Sequence, residues 1–291
     1  MKKTVLSAVF SCILSLFLAL ALLAGGLCVY ASSTVCSPDL LTDLSRSGGY
    51  CEELYEEIRY DWENLLAITG VADPDPIMAV LTLEQVEADT ISYITDSYTG
   101  SATINTEALE AGLREKVQTY VLSIVPNGEI DEELEKNINE LITACISDYK
   151  NSVRIPALPK ILGVVSKLTS YLTMGLWAAV AAVVVFLAFL FFLQRKRQDT
   201  LYFAAISTGT NAVLLLAATG LITHYQIVER LSIDVSALRT LLTGYLLALV
   251  NTLQEYGYLF LLITLLLLVA YLLTVVIPLL LQRKASKNET T

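Results

Sequence analysis

Four long stretches of the chain carry no charged residue, and each is long enough to cross a bilayer as a helix. They are residues 5–30, 171–193, 201–225 and 256–281, holding 26, 23, 25 and 26 residues. A helix rises about 1.5 Å per residue, so about 20 apolar residues cover the ~30 Å hydrocarbon core. A fifth charge-free run, 240–254, has 15 residues. It makes roughly 22 Å of helix and is not counted as a span. The chain is therefore expected to be an all-α integral membrane protein built on a four-helix transmembrane bundle.

Orientation follows from the basic residues beside the runs. Lys2 and Lys3 precede the first, Arg195, Lys196 and Arg197 follow the second, and Arg283, Lys284 and Lys287 follow the fourth. Lys and Arg collect on the cytoplasmic side of a membrane. All three clusters fall there when both termini are inside and all four runs cross. The expected cytoplasmic pieces are 1–4, 194–200 and 282–291. Residues 31–170 and 226–255 are then outside, on a multi-pass protein of the cell (plasma) membrane. The first run is read as an uncleaved anchor, because it exceeds the usual 7–15 residue core of a signal peptide. Cleavage after Val29-Tyr30-Ala31 is the alternative and leaves three spans. A lipidated Cys28 is disfavoured because Leu27 is too large for the preceding position.

The net charge is −10 on a chain that is 55% apolar and only 16% charged. Soluble domains average about 25% charged residues, so charge and apolar surface must be segregated. Residues 31–170 hold 24 Asp and Glu against 9 Lys and Arg. Such a segment repels nucleic acid and anionic lipid, so no nucleic-acid partner is expected. It attracts cations, basic peptides or cationic wall components. The plainer reading is that the acidity keeps the domain soluble and off the membrane surface.

Residues 31–170 read as an all-α extracytoplasmic domain of about four to five helices. Over 50–66, Cys51, Leu54, Tyr55, Ile58, Trp62, Leu65 and Leu66 form an amphipathic stripe, with Glu52, Glu53, Glu56, Glu57 and Glu63 off it. Asp75 is read as the cap of a short helix with Pro76 at its first position. Residues 83–98 carry Val86, Tyr93, Ile94 and Tyr98. Residues 106–125 carry Leu109, Leu113, Val117 and Val121 at strict i+4 spacing. Pro126-Asn127-Gly128 is a turn. Residues 129–150 run through Ile138, Leu141, Ile142, Cys145 and Tyr149. Pro156 and Pro159 break the pattern before a helix over 160–170 that leads into the second span.

The segment 226–255 is a second amphipathic element. Val228, Leu231, Val235, Leu238, Leu242, Tyr245, Leu249 and Leu253 form its stripe. It is read as an interfacial helix or hairpin arm packed on the outer domain. A re-entrant element lining a pathway is the alternative.

Candidate sites are few. Cys36, Cys51 and Cys145 lie in the segment read as outside, where disulfides are permitted; each is equally at home as a free thiol, the usual state of a buried Cys. No Cys-x-x-Cys, P-loop, His-Glu-x-x-His or Gly-x-Ser-x-Gly occurs, so no catalytic or metal residue, no cofactor and no enzymatic activity are expected. His224 is the one histidine and is read as an interfacial polar side chain. Asn211, with Ser207, Thr208 and Thr210 beside it, is the strongest polar residue within a span. It is read as interhelical hydrogen-bond glue, with a translocation path as the alternative. Charge-free spans argue against a proton-coupled carrier or an ion pump.

The run Tyr50-Cys51-Glu52-Glu53-Leu54-Tyr55-Glu56-Glu57-Ile58, the Leu83-Glu84-Gln85-Val86 segment and the basic link 194–198 resemble those of uncharacterised four-span integral membrane proteins of Gram-positive bacteria. The resemblance covers most of the chain and implies a bacterial plasma-membrane protein, with no activity attached. One span, a large outer domain and three further spans are also similar to permeases of the cell-division and macrolide-exporter type. The chain departs from these in its four-residue N-terminus and seven-residue inner loop, which leave little to touch a cytoplasmic ATPase. The expected partners are the lipid bilayer, a surface protein or cell-wall component, and a second copy in a homo-oligomer. The expected role is binding or sensing through the acidic domain; the alternative is a transporter or channel subunit.

Overall fold

The computed structural model describes residues 2–100, 102–125, 130–155, 158–194, 197–230 and 236–288. Among them are ten α-helices, one π-helical turn at Ala31–Val35, and no strand. The helices are α1 (Lys2–Tyr30), α2 (Pro38–Ser47), α3 (Tyr50–Ile68), α4 (Asp75–Met78) and α5 (Leu83–Thr99). They continue with α6 (Glu107–Ile124), α7 (Glu132–Val153), α8 (Leu158–Leu193), α9 (Arg197–His224) and α10 (Ser236–Asn288). The expected turn at Pro126-Asn127-Gly128, the break at Pro156, the basic residues Arg195 and Lys196, and Leu231 and Val235 lie outside the described residues. So do the side chains of Lys2, Lys3, Arg197, Arg283, Lys284 and Lys287.

The chain divides into two compact units. The bundle unit is Ser37–Lys167 with Leu231–Tyr245; the span unit is Met1–Cys36, Leu168–Arg230 and Leu246–Thr291.

The bundle unit has six helices of its own, α2 to α7, more than the sequence pattern gave. The addition is α2. Ser37 caps it by accepting from the Asp39 N–H at 3.2 Å, and Pro38 opens the first turn. Helix α4 begins one residue earlier than expected. Pro74 is the cap residue, Asp75 and Pro76 are already helical, and the Asp75 N–H donates to Asp73 Oδ1 at 3.3 Å. Pro159 opens α8 within its first turn and does not break it.

The core of the bundle follows the expected stripes. Cys51, Leu54, Ile58, Trp62 and Leu66 of α3 are all buried, as are Ile138, Leu141, Ile142, Cys145 and Tyr149 of α7. Leu109, Leu113 and Val117 of α6 are buried while Val121 is only partly so. Strict i+4 spacing drifts about 40° per step on a 3.6-residue helix, and three steps carry Val121 to the edge. The Trp62 indole N–H donates to the Cys145 carbonyl at 3.1 Å, and its ring meets Tyr149 at a centroid distance of 6.4 Å.

Residues 226–255 are not one separate helix. The chain turns through 226–230, with Gln226 at φ 50°, and Ser236–Asn288 is α10. Neither Gly244 nor Gly257 is enough to stop a helix whose other residues in that stretch are mostly good helix formers. Of the expected stripe, Leu238 and Tyr245 pack against the bundle core, but the face is shifted in its first turns. Ala237 and Leu241 are buried in the bundle core, while Leu242 is exposed. The Thr240 hydroxyl bonds the Glu53 carboxylate at 3.0 Å, and a Cβ at Gly244 would lie 3.7 Å from Leu44. These contacts select the 237–241–244 face.

In the span unit the exterior is apolar. Phe10, Leu16, Trp177, Phe192, Val213 and Leu266 are among many large side chains left exposed. Helices α1, α8, α9 and α10 are long and apolar enough to cross a membrane. Helix α9 is the enclosed one: 39% of its most apolar window is buried, against 11–17% for the others.

Replacing Trp62 with Ala is expected to destabilise the bundle by about 3–5 kcal/mol, the usual cost of deleting a buried indole. Trp62→Phe should cost clearly less. Hydrogen exchange of α3 and α7 amides in the detergent-solubilised chain measures both.

Candidate functional site

Helix α3 carries three carboxylates at successive i+4 positions, Glu53, Glu57 and Asp61. Four-residue spacing puts them in one row. Helix α7 adds Asp148 to the same neighbourhood, brought there by the Trp62–Cys145 contact one turn away. None of the four has an ion-pair partner among the described residues. The four ion pairs there are Arg46–Glu87, Arg59–Glu63, Arg114–Glu110 and Lys136–Glu140.

The electrostatic cost is visible in the acids themselves. Burial, then the charges of Asp61 and Glu57, push the Asp148 carboxyl up to about 6. Its Oδ2 is sealed from solvent and has no hydrogen-bond partner. Glu57 is also raised, by burial and then by Asp61 and Glu53. Glu53 has relief of another kind: its carboxylate accepts from the Ser236 and Thr240 hydroxyls at 3.0 Å. Among the described residues no group of three or more His, Cys, Asp or Glu has the geometry to hold a metal ion.

The three cysteines singled out in the sequence are free thiols. Cys51 is buried near Thr90, Glu87 and Arg46, and Cys145 is buried near Asp148. Burial raises the first to about 11 and the second to about 12, which leaves both as unreactive thiols at neutral pH. Cys36 is half-buried at the end of the π turn.

The intramembrane candidates are placed by α1 and α9. The Asn211 amide donates to the Ala19 carbonyl at 3.0 Å and is 2% exposed. The Ser15 and Ser207 hydroxyls lie 3.0 Å apart, and Ser207 Oγ is 2.8 Å from the Ser15 carbonyl. Thr264 of α10 donates to Thr208 at 2.9 Å. A polar seam thus joins α9 to its neighbours, the arrangement by which polar groups stabilise helix association in lipid. His224 is exposed at the end of α9, edge-on to Tyr225 at 5.2 Å.

Comparison with protein families, with curated proteins and with solved structures found no match.

Two outcomes follow. Asp148 has a folded-state pKa above its ordinary value, so its protonated form favours the fold. That contribution is complete below about pH 4 and is lost as pH rises through about 6. Asp148→Asn should therefore raise the denaturation midpoint at pH 7.5 and leave it unchanged near pH 4, in a pH series of urea melts. Asn211→Leu should cost about 0.6–2 kcal/mol through loss of one seam bond. A lower thermal midpoint in detergent, with exposed Val213→Leu as the neutral control, reads that loss.

Proposed function

We propose that the protein is a multi-pass plasma-membrane protein with both termini in the cytoplasm, whose acidic bundle faces outward and binds or senses a cationic partner. The partner is a basic surface protein or a cationic wall component. The role is one of binding, without catalysis. The four-span plan it would share with membrane proteins of Gram-positive bacteria belongs to the same reading.

The observation that carries it is the unneutralised row Glu53, Glu57 and Asp61 with Asp148 beside it. Carboxylates held together without counter-charges present a field that a basic partner relieves. Four helices of membrane-crossing length support the multi-pass setting. Against a transport role, Asn211 commits its amide to a backbone carbonyl of α1, and the seam residues bond chiefly to one another and to helix carbonyls.

The test uses Tyr60, which is 65% exposed on α3. A photo-crosslinking aromatic in its place, activated in intact cells, should capture a basic partner. The yield should fall at high salt, because surface charges are screened. It should fall again in the double variant Glu57→Gln, Asp61→Asn. Capture of nothing, or capture indifferent to both changes, would overturn the reading. A membrane-impermeant thiol reagent, applied to a cysteine introduced at exposed Ile68, checks the orientation independently: labelling in intact cells is expected.

A further inference from the structure

The bundle unit contains a cavity of about 260 Å³ where α3, the end of α7 and the start of α10 meet. That is just below the ~300–1,000 Å³ of pockets for drug-sized ligands, so it suits a small metabolite. Three features make it more than a packing gap.

The first is Tyr50, which forms part of the wall and is 3% exposed. Its hydroxyl makes no hydrogen bond to any described residue, yet it is not among the fully sealed unpartnered atoms. A buried hydroxyl left without a partner is costly, and a guest that supplies one recovers that cost.

The second is a pair of opposite charges that do not meet. Glu57 and Arg154 both line the cavity. They form no ion pair with each other, and neither has an ion-pair partner elsewhere among the described residues. Two complementary charges that line one cavity without pairing leave room for a guest carrying the reverse arrangement.

The third is a fixed apolar wall. Ala237 and Leu238 of α10 line the cavity beside the last turn of α7. The α10 wall is fixed in place, because Glu53 holds both Ser236 and Thr240. Leu54 and Ile155 extend the apolar surface.

We propose that this cavity binds a small zwitterion, a free α-amino acid with an aliphatic side chain. The ammonium group pairs with Glu57. The carboxylate pairs with Arg154, and the Tyr50 hydroxyl completes the polar contacts. The side chain rests on Leu54 and Ile155. This goes beyond the reading of the acidic row: every group involved lies in the bundle unit, and binding does not depend on which side of a membrane the unit faces.

The test titrates the full-length protein in detergent with the protein L-amino acids one at a time, by calorimetry and by thermal shift. For any that binds, its decarboxylated amine and its deaminated acid are titrated alongside; for L-leucine these are isoamylamine and 4-methylpentanoate. An aliphatic amino acid should bind, and each analogue should bind at least about tenfold more weakly. Glu57→Gln and Arg154→Gln change exposed side chains and should fold normally, and each should weaken amino-acid binding at least about tenfold. Glu57→Gln should leave the acid analogue unaffected, and Arg154→Gln the amine. Tyr50→Phe, which removes one oxygen, should weaken binding without lowering the unliganded melting point. No binding by any amino acid overturns the proposal. So does binding indifferent to Glu57→Gln and Arg154→Gln, or an amine that binds as tightly as its parent amino acid. None of these outcomes bears on whether a basic partner is captured at Tyr60.

Discussion

The α3–α7 contact around Trp62 organises the chemistry of the bundle. An indole that is fully buried must place its N–H, and here it donates to the carbonyl of Cys145 on the facing helix while its ring meets Tyr149. That one contact fixes the register of the two helices. It brings Asp148 beside Asp61 and Glu57, and it carries the last turn of α7 to the level of Tyr50 and Leu54. A shift of one helical turn, about 5.4 Å, would disperse the acidic group and close the cavity. Tyr149 adds a second tie, since its hydroxyl donates to Asp89 of α5 at 2.6 Å.

The span unit is held by a different balance. Much of its exterior is apolar, and Ser15, Ser207, Thr208, Asn211 and Thr264 are buried. Between helices in lipid there is no hydrophobic gain to drive association, so close approach and hydrogen bonds carry it. Gly257 shows the closeness: a Cβ there would fall 2.9 Å from the Leu216 side chain. Ser15, Ser207, Asn211, Thr208 and Thr264 supply the bonds. Thr and Ser hydroxyls that do not reach a neighbour turn back on their own helix, as Thr219 does to Leu215.

Much of this was legible in sequence wherever one physical signal dominated. Long charge-free runs specified the four apolar helices, and 3.6-residue stripes specified α3, α5, α6 and α7 to within a few residues. Helix α2 carried a readable signal, Ser37-Pro38-Asp39, which joins a capping hydroxyl, a proline at the first position and an acid in the first turn. It was missed because its apolar stripe is short. The register of α10 was not legible. Its bulky leucines compete for the core on size alone, and the deciding contacts come from Glu53 and Leu44, far away in sequence. The same holds for the site. Glu57 stood out only as one acid among several, and neither Asp148 nor Arg154 carried any local pattern. Their meaning is tertiary.

The row on α3 is not what solubility alone requires. Each of its carboxylates has a like charge four residues away, and like pairs at that spacing cost about 0.2–0.5 kcal/mol each. A lysine at position 57 would turn two repulsions into two attractions with the same gain in solubility. The chain uses that device elsewhere: Arg59 pairs with Glu63, Arg114 with Glu110 and Lys136 with Glu140, all at i, i+4. On the row it is absent, and Asp148 enters from α7 to add to the repulsion, with one oxygen buried and unbonded. The like-charge repulsion gathers at the face where α3 and α7 meet. Like charges held together, one of them with an oxygen buried and unbonded, mark a surface where a ligand or partner completes the structure.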